Sequence, residues 1–571
     1  MKILQFGIFF IMFFLIILQL YEEASAFIVF EDVTEFAGVS YIGDTYGASW
    51  GDFNNDKWVD LFVGNHGNHG NGTSLYLNNK NGTFTDIIYN LDLSHIWKMD
   101  LHTASWVDYE NDGDQDLLIV VGGGVRTGTD SATNNIFLIN NNESFTDEAT
   151  KLNLDYPLGR GRMPIWTDIN NDGLLDVILV NLPRLDGKAP SGVFIQKNNV
   201  FEDVTISSGI NIGSATSGQL SDLNLDRNLD LAFLFSSQDP NVIYNLTVFP
   251  FNEIRTDLKI PIFNGVYGAS FNDFNGDLLT DIFLSRAAVG SYQLRDDVLL
   301  IHDETGFIVF SENSGLENPS ICRDTVTGDF DNDMDIDIFQ ICSMWKLYQS
   351  NEESHHKNLP NRLYENLGNG TFKKISHAGS IIESADGVAG SVSLADFNND
   401  GFLDIYITNT VFDNFGPSQL FKNLGNENHW LEIDLVGTVS NRDAIGAHVF
   451  VNTDDKKQLR VQNGGMHYRS QDHQRLHFGL GNNTEINSII VYWPSGIVSG
   501  LLDIPSNNIL ELVEPYEQTA PYKQRILGIQ PMEIICDNEL TLILKPTIDK
   551  SVCVKTSTAL QLIERGWRIT D

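Results

Sequence analysis

A nine-residue acidic pattern occurs seven times along this chain, and it limits the possible folds more than any other feature. Position 1 is Asp, position 3 is Asn, Asp or Glu, and positions 5 and 9 are Asp. The copies are Asp52, Asn54, Asp56, Asp60; Asp108, Glu110, Asp112, Asp116; Asp168, Asn170, Asp172, Asp176; and Asp222, Asn224, Asp226, Asp230. They continue with Asp273, Asn275, Asp277, Asp281; Asp329, Asp331, Asp333, Asp337; and Asp396, Asn398, Asp400, Asp404. The shortest step is the 51 residues from Asp222 to Asp273, and the longest is the 67 from Asp329 to Asp396. A period of this size marks one supersecondary unit repeated around or along a common core.

The flanks say what the unit is. A run rich in small residues precedes each loop, as in Tyr46-Gly-Ala-Ser-Trp50, and a short apolar run such as Leu117–Val121 follows it. Short apolar runs bounded by Asn, Asp and Gly are strands, so each acidic loop is the turn of a hairpin. An aromatic strand with an Asn-rich turn comes next, as at Leu75–Asn79 and Arg362–Asn366, then a Phe-x-Asp-x-Thr strand, as at Phe201–Thr205. Four strands per unit is the content of a propeller blade. The expected fold is all-β: a seven-bladed β-propeller over residues 27–427, then a small all-β domain over 428–515 and a short C-terminal tail over 516–571. One detail predicts how the ring closes. Phe30-Glu-Asp-Val-Thr34 copies the last strand but precedes the first loop, while no such strand follows Leu420–Leu424. Residues 27–37 should therefore supply the outer strand of the seventh blade.

Hard cations take oxygen ligands, and Ca²⁺ takes six to eight of them. Positions 1, 3, 5 and 9 supply side-chain oxygens and position 7 a carbonyl, so all 28 residues named above are candidate Ca²⁺ ligands with a structural role. Asx residues also form hydrogen-bonded turns without any metal. Seven copies that each keep an acid at position 9 favour the cation. The second and sixth loops, with Asp114 and Asp335 as fifth acids, should bind tightest. Position 6 is Gly113, Gly173 or Gly401 in three loops, where glycine eases the turn, and Lys57 or Arg227 in two. Those two cations make the first and fourth loops the weakest candidates.

The chain has 76 Asp and Glu against 36 Lys and Arg, a formal net charge of −40, which argues against nucleic acid or an anionic membrane surface as partner. Lys2, the apolar run Ile3–Leu20 and Ala24-Ser25-Ala26 read as a signal peptide over residues 1–26, with no membrane span after its cleavage. Four cysteines suit an oxidising compartment, with one local disulfide expected between Cys322 and Cys342 and another between Cys536 and Cys553. Sequons at Asn71, Asn81, Asn142, Asn245, Asn369 and Asn482 are compatible with glycosylation.

After Asn428 the acidic repeat stops and alternating strands begin. The residues Asn428-His-Trp-Leu431, Ser440-Asn-Arg-Asp443, Ile445-Gly-Ala447, Ser470-Gln471, Leu476–Gly481 and Val491–Gly496 carry a specific resemblance. With the repeats, they make the chain resemble secreted proteins of the cartilage acidic protein type, which join FG-GAP (VCBS-like) repeats to an ASPIC/UnbV domain. The repeats also resemble the integrin α-subunit propeller. The resemblance implies calcium in the loops and a secreted or cell-surface protein. In the tail, Ala559, Leu560 and Ile563 suggest one short helix.

Two functional classes follow. The first is an adhesion or recognition module that meets an extracellular protein or glycan at one propeller face. The second is an extracellular enzyme, a hydrolase or quinone-linked dehydrogenase, with its site in the central channel. Ser470 with Asp443, His448, His467, Asp472, His473 and His477 contains the residue types of a hydrolytic triad, but Ser470 does not sit in a G-x-S-x-G elbow. His66, His69, His95, His102, His355 and His356 show no metal-ligand spacing and are expected to scatter over the surface. The binding reading is therefore preferred, with no catalytic residue assigned. Converging His, Arg and acidic side chains at the narrow channel mouth would favour the enzyme.

Overall fold

The structure is a computed structural model. It describes residues 28–569 apart from 67–71, 92, 94–95, 97–98, 123–133, 143, 185, 214, 236–240, 287–294, 320–321, 343–359, 383–387, 411–415, 538–539, 546–549, 564 and 566. The signal peptide, Asn71, His69, His95, His355 and His356 lie outside the described residues.

Each acidic loop joins the first two strands of an antiparallel four-stranded unit; among the described residues there are seven such units, the first extended by two strands from later in the chain. In the second, the strands are Leu101–Val107, Asp116–Val121, Ile136–Asn140 and Phe145–Asp147. All six residues of Asp116–Val121 are buried, because neighbouring units cover both faces of the strand; that is why it reads as a continuous apolar run. The first strand of each unit touches the first strand of the next, and Val388–Ala395 of the seventh touches Ala48–Gly51 of the first, so the ring closes. The seventh unit has its own Val388–Ala395, Asp404–Thr410 and Gln419–Asn423, and its outer strand is Phe30–Asp32, with Phe30 opposite Asn423 and Asp32 opposite Phe421. This is the non-covalent closure expected from residues 27–37.

Polar side chains tie the units together. The Trp50 indole donates to Ser393 Oγ at 3.1 Å and the Trp166 indole to Ser105 Oγ at 2.8 Å, each reaching the preceding unit. The buried Asn at the end of the third strand does the same. Asn78, Asn140, Asn366 and Asn423 donate through Nδ2 to the carbonyls of Phe397, Phe53, Phe274 and Phe330, at 2.7–2.9 Å.

Beyond the ring, His429–Val436 lies between Leu476–Gly481 and Asn508–Val513 in one sheet. Lys457–Val461, His448–Asn452, Glu485–Tyr492 and Val498–Pro505 form a second. Leu431, Ile433, Val449, Phe478 and Val491 are among the side chains of their shared core. The tail adds a three-stranded sheet, the helices Pro521–Ile526 and Thr556–Ile563, and a contact of Leu527, Ile529 and Ile534 against Ile490 and Val498. Both disulfides form, Cys322–Cys342 across the sixth unit and Cys536–Cys553 in the tail. Among the described residues, no helix is long and apolar enough to cross a membrane.

Candidate functional site

The seven acidic loops share one backbone. Positions 4 and 6 have positive φ in every copy, from 55° at Asn399 to 101° at Gly113. Lys57, Arg227, Leu278 and Met334 adopt this conformation at position 6 as Gly113, Gly173 and Gly401 do. The position 1 carboxylates of Asp52, Asp108, Asp168, Asp222, Asp273, Asp329 and Asp396 compensate for the strain. Through Oδ1 each accepts the position 5 N–H at 2.9–3.1 Å, and through Oδ2 the position 6 N–H at 2.6–2.9 Å. The Asx turn is thus fully formed from the chain's own donors.

The position 9 carboxylates go inward. Asp60, Asp116, Asp176, Asp230, Asp281, Asp337 and Asp404 are at most 1% exposed. In six units Oδ1 accepts the backbone N–H of a third-strand residue, as from Asn78 to Asp60 at 2.8 Å; in the fourth, Asn245 donates through Nδ2 at 3.2 Å. Burial first, and the neighbouring carboxylates after it, push Asp60 up to about 8 and Asp116 up to about 9. Asp176 and Asp230 rise to about 7 and Asp281 to about 8, and Asp337 and Asp404 rise well above the usual carboxylate range.

Two observations bear on whether these oxygens fit a hard cation. Asp329, Asp331 and Asp333 each bring one carboxylate oxygen within 4.8 Å of the others. Oxygens about 2.4 Å from a shared Ca²⁺ can be no further apart than about 4.8 Å. Asp60 Oδ2, Asp114 Oδ1, Asp116 Oδ2 and Asp331 Oδ1 are buried with no hydrogen-bond partner, and an orphaned buried carboxylate oxygen is costly unless a cation or donor meets it. The donor set fits calcium. Asp329, Asp331, Asp333 and Asp337 would hold it in the sixth loop, and the matching positions elsewhere. The second loop is rich in acid, but among the described residues its carboxylates do not converge as those of the sixth do.

The cations at position 6 do not act as expected. Lys57 Nζ pairs with Glu511 and the Arg227 guanidinium lies 4.0 Å from the Tyr492 ring centre, so both point to the second domain. Other lysines reach the loop acids: Lys80 to Asp56 at 3.0 Å, Lys422 to Asp400 at 3.1 Å, and Lys456 to Asp335. Asn245 is 8% exposed and bonded to Asp230, so burial removes it from the accessible sequons, whereas Asn81, Asn142, Asn369 and Asn482 are exposed.

The second domain sits on the loop face and meets all seven loops. Beyond the contacts of Lys57 and Arg227, Arg442 N donates to Asn111 Oδ1 at 2.7 Å, and His448 Nε2 lies 3.2 Å from Asp222 Oδ2. Gly481 N donates to the Asn332 carbonyl at 2.7 Å, and Arg475 Nη1 to Asn399 Oδ1 at 2.8 Å. Lys456 lies beside Gly276, and Val439 packs on Gly173. A Cβ on Gly401 would overlap the Trp430 indole.

From this domain the hairpin Met466–Gln471 enters the central channel. Ser470–Gln471 pairs in parallel with the first strand of the first unit, Ser49 opposite Gln471. The Gln471 amide accepts from Trp106 N at 2.7 Å and donates to the Trp106 carbonyl at 3.0 Å. Ser470 Oγ is engaged with Ser391 Oγ at 2.6 Å and accepts from Ala48 N. His467 is buried between Asp472 and Asp324, at 3.2 and 3.6 Å. Burial opposes its protonation, but the two carboxylates outweigh it and raise His467 to about 10. Of the residues that suggested a triad, Ser470, His467 and Asp472 fasten this hairpin, whereas Asp443, His448 and His477 meet Asp108, Asp222 and Gly401 of the loops.

The far end of the channel departs from the expected scatter of histidines. His66 and His102 meet there with Asp100. The Arg469 guanidinium, brought in by the hairpin, lies 4.2 Å from the Tyr46 ring centre beside them. Chain pairing at the ends of two neighbouring units makes this group, and sequence spacing carries no signal for it.

Both parts of the chain match known family models. FG-GAP-like repeats match residues 52–119, 108–179 and 329–407, and an ASPIC and UnbV domain matches 437–519. Cartilage acidic protein 1 of Mus musculus is 23% identical over 79% of this chain and 71% of its own length. That of Homo sapiens is 23% identical over 72% and 63%, and that of Xenopus tropicalis 24% over 59% and 50%. The chain thus spans about half to 71% of these relatives. Among solved structures, YCF48 from Cyanidioschyzon merolae aligns with a TM-score of 0.36 at 7% identity, covering 69% of this chain and 98% of its own. The V. cholerae biofilm matrix protein Bap1 aligns with a TM-score of 0.31 at 11% identity, covering 83% and 82%.

Proposed function

From a chain that carries FG-GAP-like repeats and an ASPIC and UnbV domain, we propose an extracellular recognition or adhesion module whose loop face is held together by calcium. The observation that carries this reading is the convergence of Asp329, Asp331 and Asp333 beneath the docked second domain. Each loop buries carboxylates against this domain, and the oxygens of Asp60, Asp114, Asp116 and Asp331 that lack a partner remain for a cation. A cation in the loop satisfies the orphaned oxygens and stiffens the surface on which the second domain rests. Two disulfides and four exposed sequons support an extracellular site of action. The partner is an extracellular protein or glycan. The cluster of His66, His102, Asp100 and Arg469 is the one observation that favours channel chemistry instead.

Thermal unfolding of the mature protein in EDTA and in millimolar calcium tests the calcium reading. Each site filled to ten times its dissociation constant adds about 1.4 kcal/mol, so several sites raise the melting temperature by several degrees. Equal melting in both buffers refutes it. Replacing Asp329 and Asp333 together by Asn should remove more of the calcium-dependent shift than the same change at Asp222 and Asp226, and the opposite order refutes the assignment of the sixth loop as the tighter site. Pull-down from native cell surfaces with and without calcium tests recognition.

A further inference from the structure

At the channel end away from the acidic loops, the second strand of the first unit runs out beside the start of the first strand of the second. Leu101 N donates to the Asn65 carbonyl at 2.8 Å, which places His66 next to His102. Three ligand atoms then meet. His102 Nε2 lies 2.9 Å from His66 Nδ1 and 3.1 Å from Asp100 Oδ1, and His66 Nδ1 also contacts Asp100 Oδ1.

Hydrogen bonding alone cannot satisfy this triangle. Each imidazole nitrogen presents either a proton or a lone pair, and the carboxylate presents only lone pairs. With protons on both nitrogens, two N–H groups face each other. With a proton on one, the bare nitrogen faces the carboxylate oxygen. With the carboxylate ionised, one side is repulsive in every protonation state of the two imidazoles, whereas a cation at the centre makes all three contacts favourable. Ligands about 2.1 Å from a tetrahedral metal are about 3.4 Å apart, so the 2.9 and 3.1 Å sides need open only slightly to admit one, and the His66–Asp100 side somewhat more.

We propose that His66, Asp100 and His102 bind a divalent first-row transition metal, with zinc foremost. Two imidazole nitrogens suit such an ion and disfavour calcium, which takes oxygen. The surroundings hold the rings in place. The Tyr46 ring lies 4.3 Å from the His66 ring and 5.0 Å from the His102 ring, between centres. Gly122 leaves the space that the His102 imidazole occupies, for a Cβ there would overlap it. The His102 side chain is 3% exposed, while those of His66 and Asp100 are each 28% exposed. The metal can therefore enter from solvent on one flank, and three protein ligands leave a position there for water or an exogenous ligand.

The test uses the whole mature protein, stripped with EDTA and then saturated with calcium so that the acidic loops do not compete. Zn²⁺ is titrated by calorimetry and Co²⁺ by its visible absorption. One equivalent of zinc should bind, with a cobalt spectrum characteristic of nitrogen ligation. His66→Gln and Asp100→Asn, both at partly exposed positions, should each weaken zinc by at least about tenfold and abolish the cobalt band, leaving melting in calcium unchanged. No zinc binding by the wild type, or equal binding by wild type and both variants, would overturn the proposal.

Discussion

Asp60 and its six counterparts are carboxylates placed where water does not reach, and their protonation should govern how the protein responds to pH. Burial raises Asp60 to about 8 and Asp176 to about 7, from an ordinary value of 3.8. A folded state that holds these protons more tightly than the unfolded chain loses stability as pH rises between the two values. Stability in EDTA should therefore be greatest near pH 4 and decline to about pH 9, the value of Asp116. A cation favours the ionised form, so calcium should flatten the decline and bind more tightly at higher pH. Melting temperatures across that range, with and without calcium, check this; an EDTA curve that rises with pH contradicts it. His467 acts in a separate window. Its value of about 10 exceeds the ordinary 6.5, so its contribution is complete below pH 6.5 and is lost as pH passes through about 10.

At the scale of the element, each hairpin loop is a brace between two domains as well as a turn. The sequence explains a position 6 glycine by its φ, yet Lys57, Arg227, Leu278 and Met334 adopt the same conformation. What separates Gly401 from them is the Trp430 indole lying against it, and Gly173 has the Val439 carbonyl 2.8 Å from where a Cβ would stand. At Gly113 a Cβ would meet only Arg442, at 3.5 Å. Gly113→Ala should cost about 1 kcal/mol, the backbone contribution alone. Gly401→Ala should cost about 2–4 kcal/mol by adding overlap with a packed ring, and should loosen the second domain. Chemical denaturation with limited proteolysis of the linker near Asn426 measures both, and equal losses would show that the backbone alone explains glycine there. Asn78, Asn140, Asn366 and Asn423 are a related case. They read as turn residues, but they donate to the carbonyl of the preceding unit's loop.

For the whole molecule, three residues from the start of the chain complete the last unit of the ring. Phe30–Asp32 is the outer strand of the last unit, and Phe30 is buried against Phe330 at 5.8 Å between ring centres. Removing residues 28–37 should leave Gln419–Asn423 with an open edge and expose the core around Phe421. The expected result is a lower melting temperature, with association through the freed edge seen in sedimentation. An unchanged melting curve and a monomer would show that the ring does not depend on this strand. The second domain closes the molecule in another way, by filling the channel with Met466–Gln471 and covering the loop face.

The sequence alone determined whatever depends on local pattern. Strand periodicity and acid spacing are properties of short segments, so the seven loops, the hairpins around them, the displaced Phe30 strand and the pairing of Cys322 with Cys342 could all be read from it. The tertiary structure decided what depends on the meeting of distant segments. Lys57 lies 454 residues from Glu511, Gln471 lies 365 from Trp106 and His66 lies 36 from His102. No spacing rule links such pairs, because their separation in sequence reflects how many units lie between them and not how their atoms meet. Docking of the second domain on the acidic face, the hairpin in the channel and the histidine pair at its far end therefore emerge only when the ring closes and a second domain is laid across it.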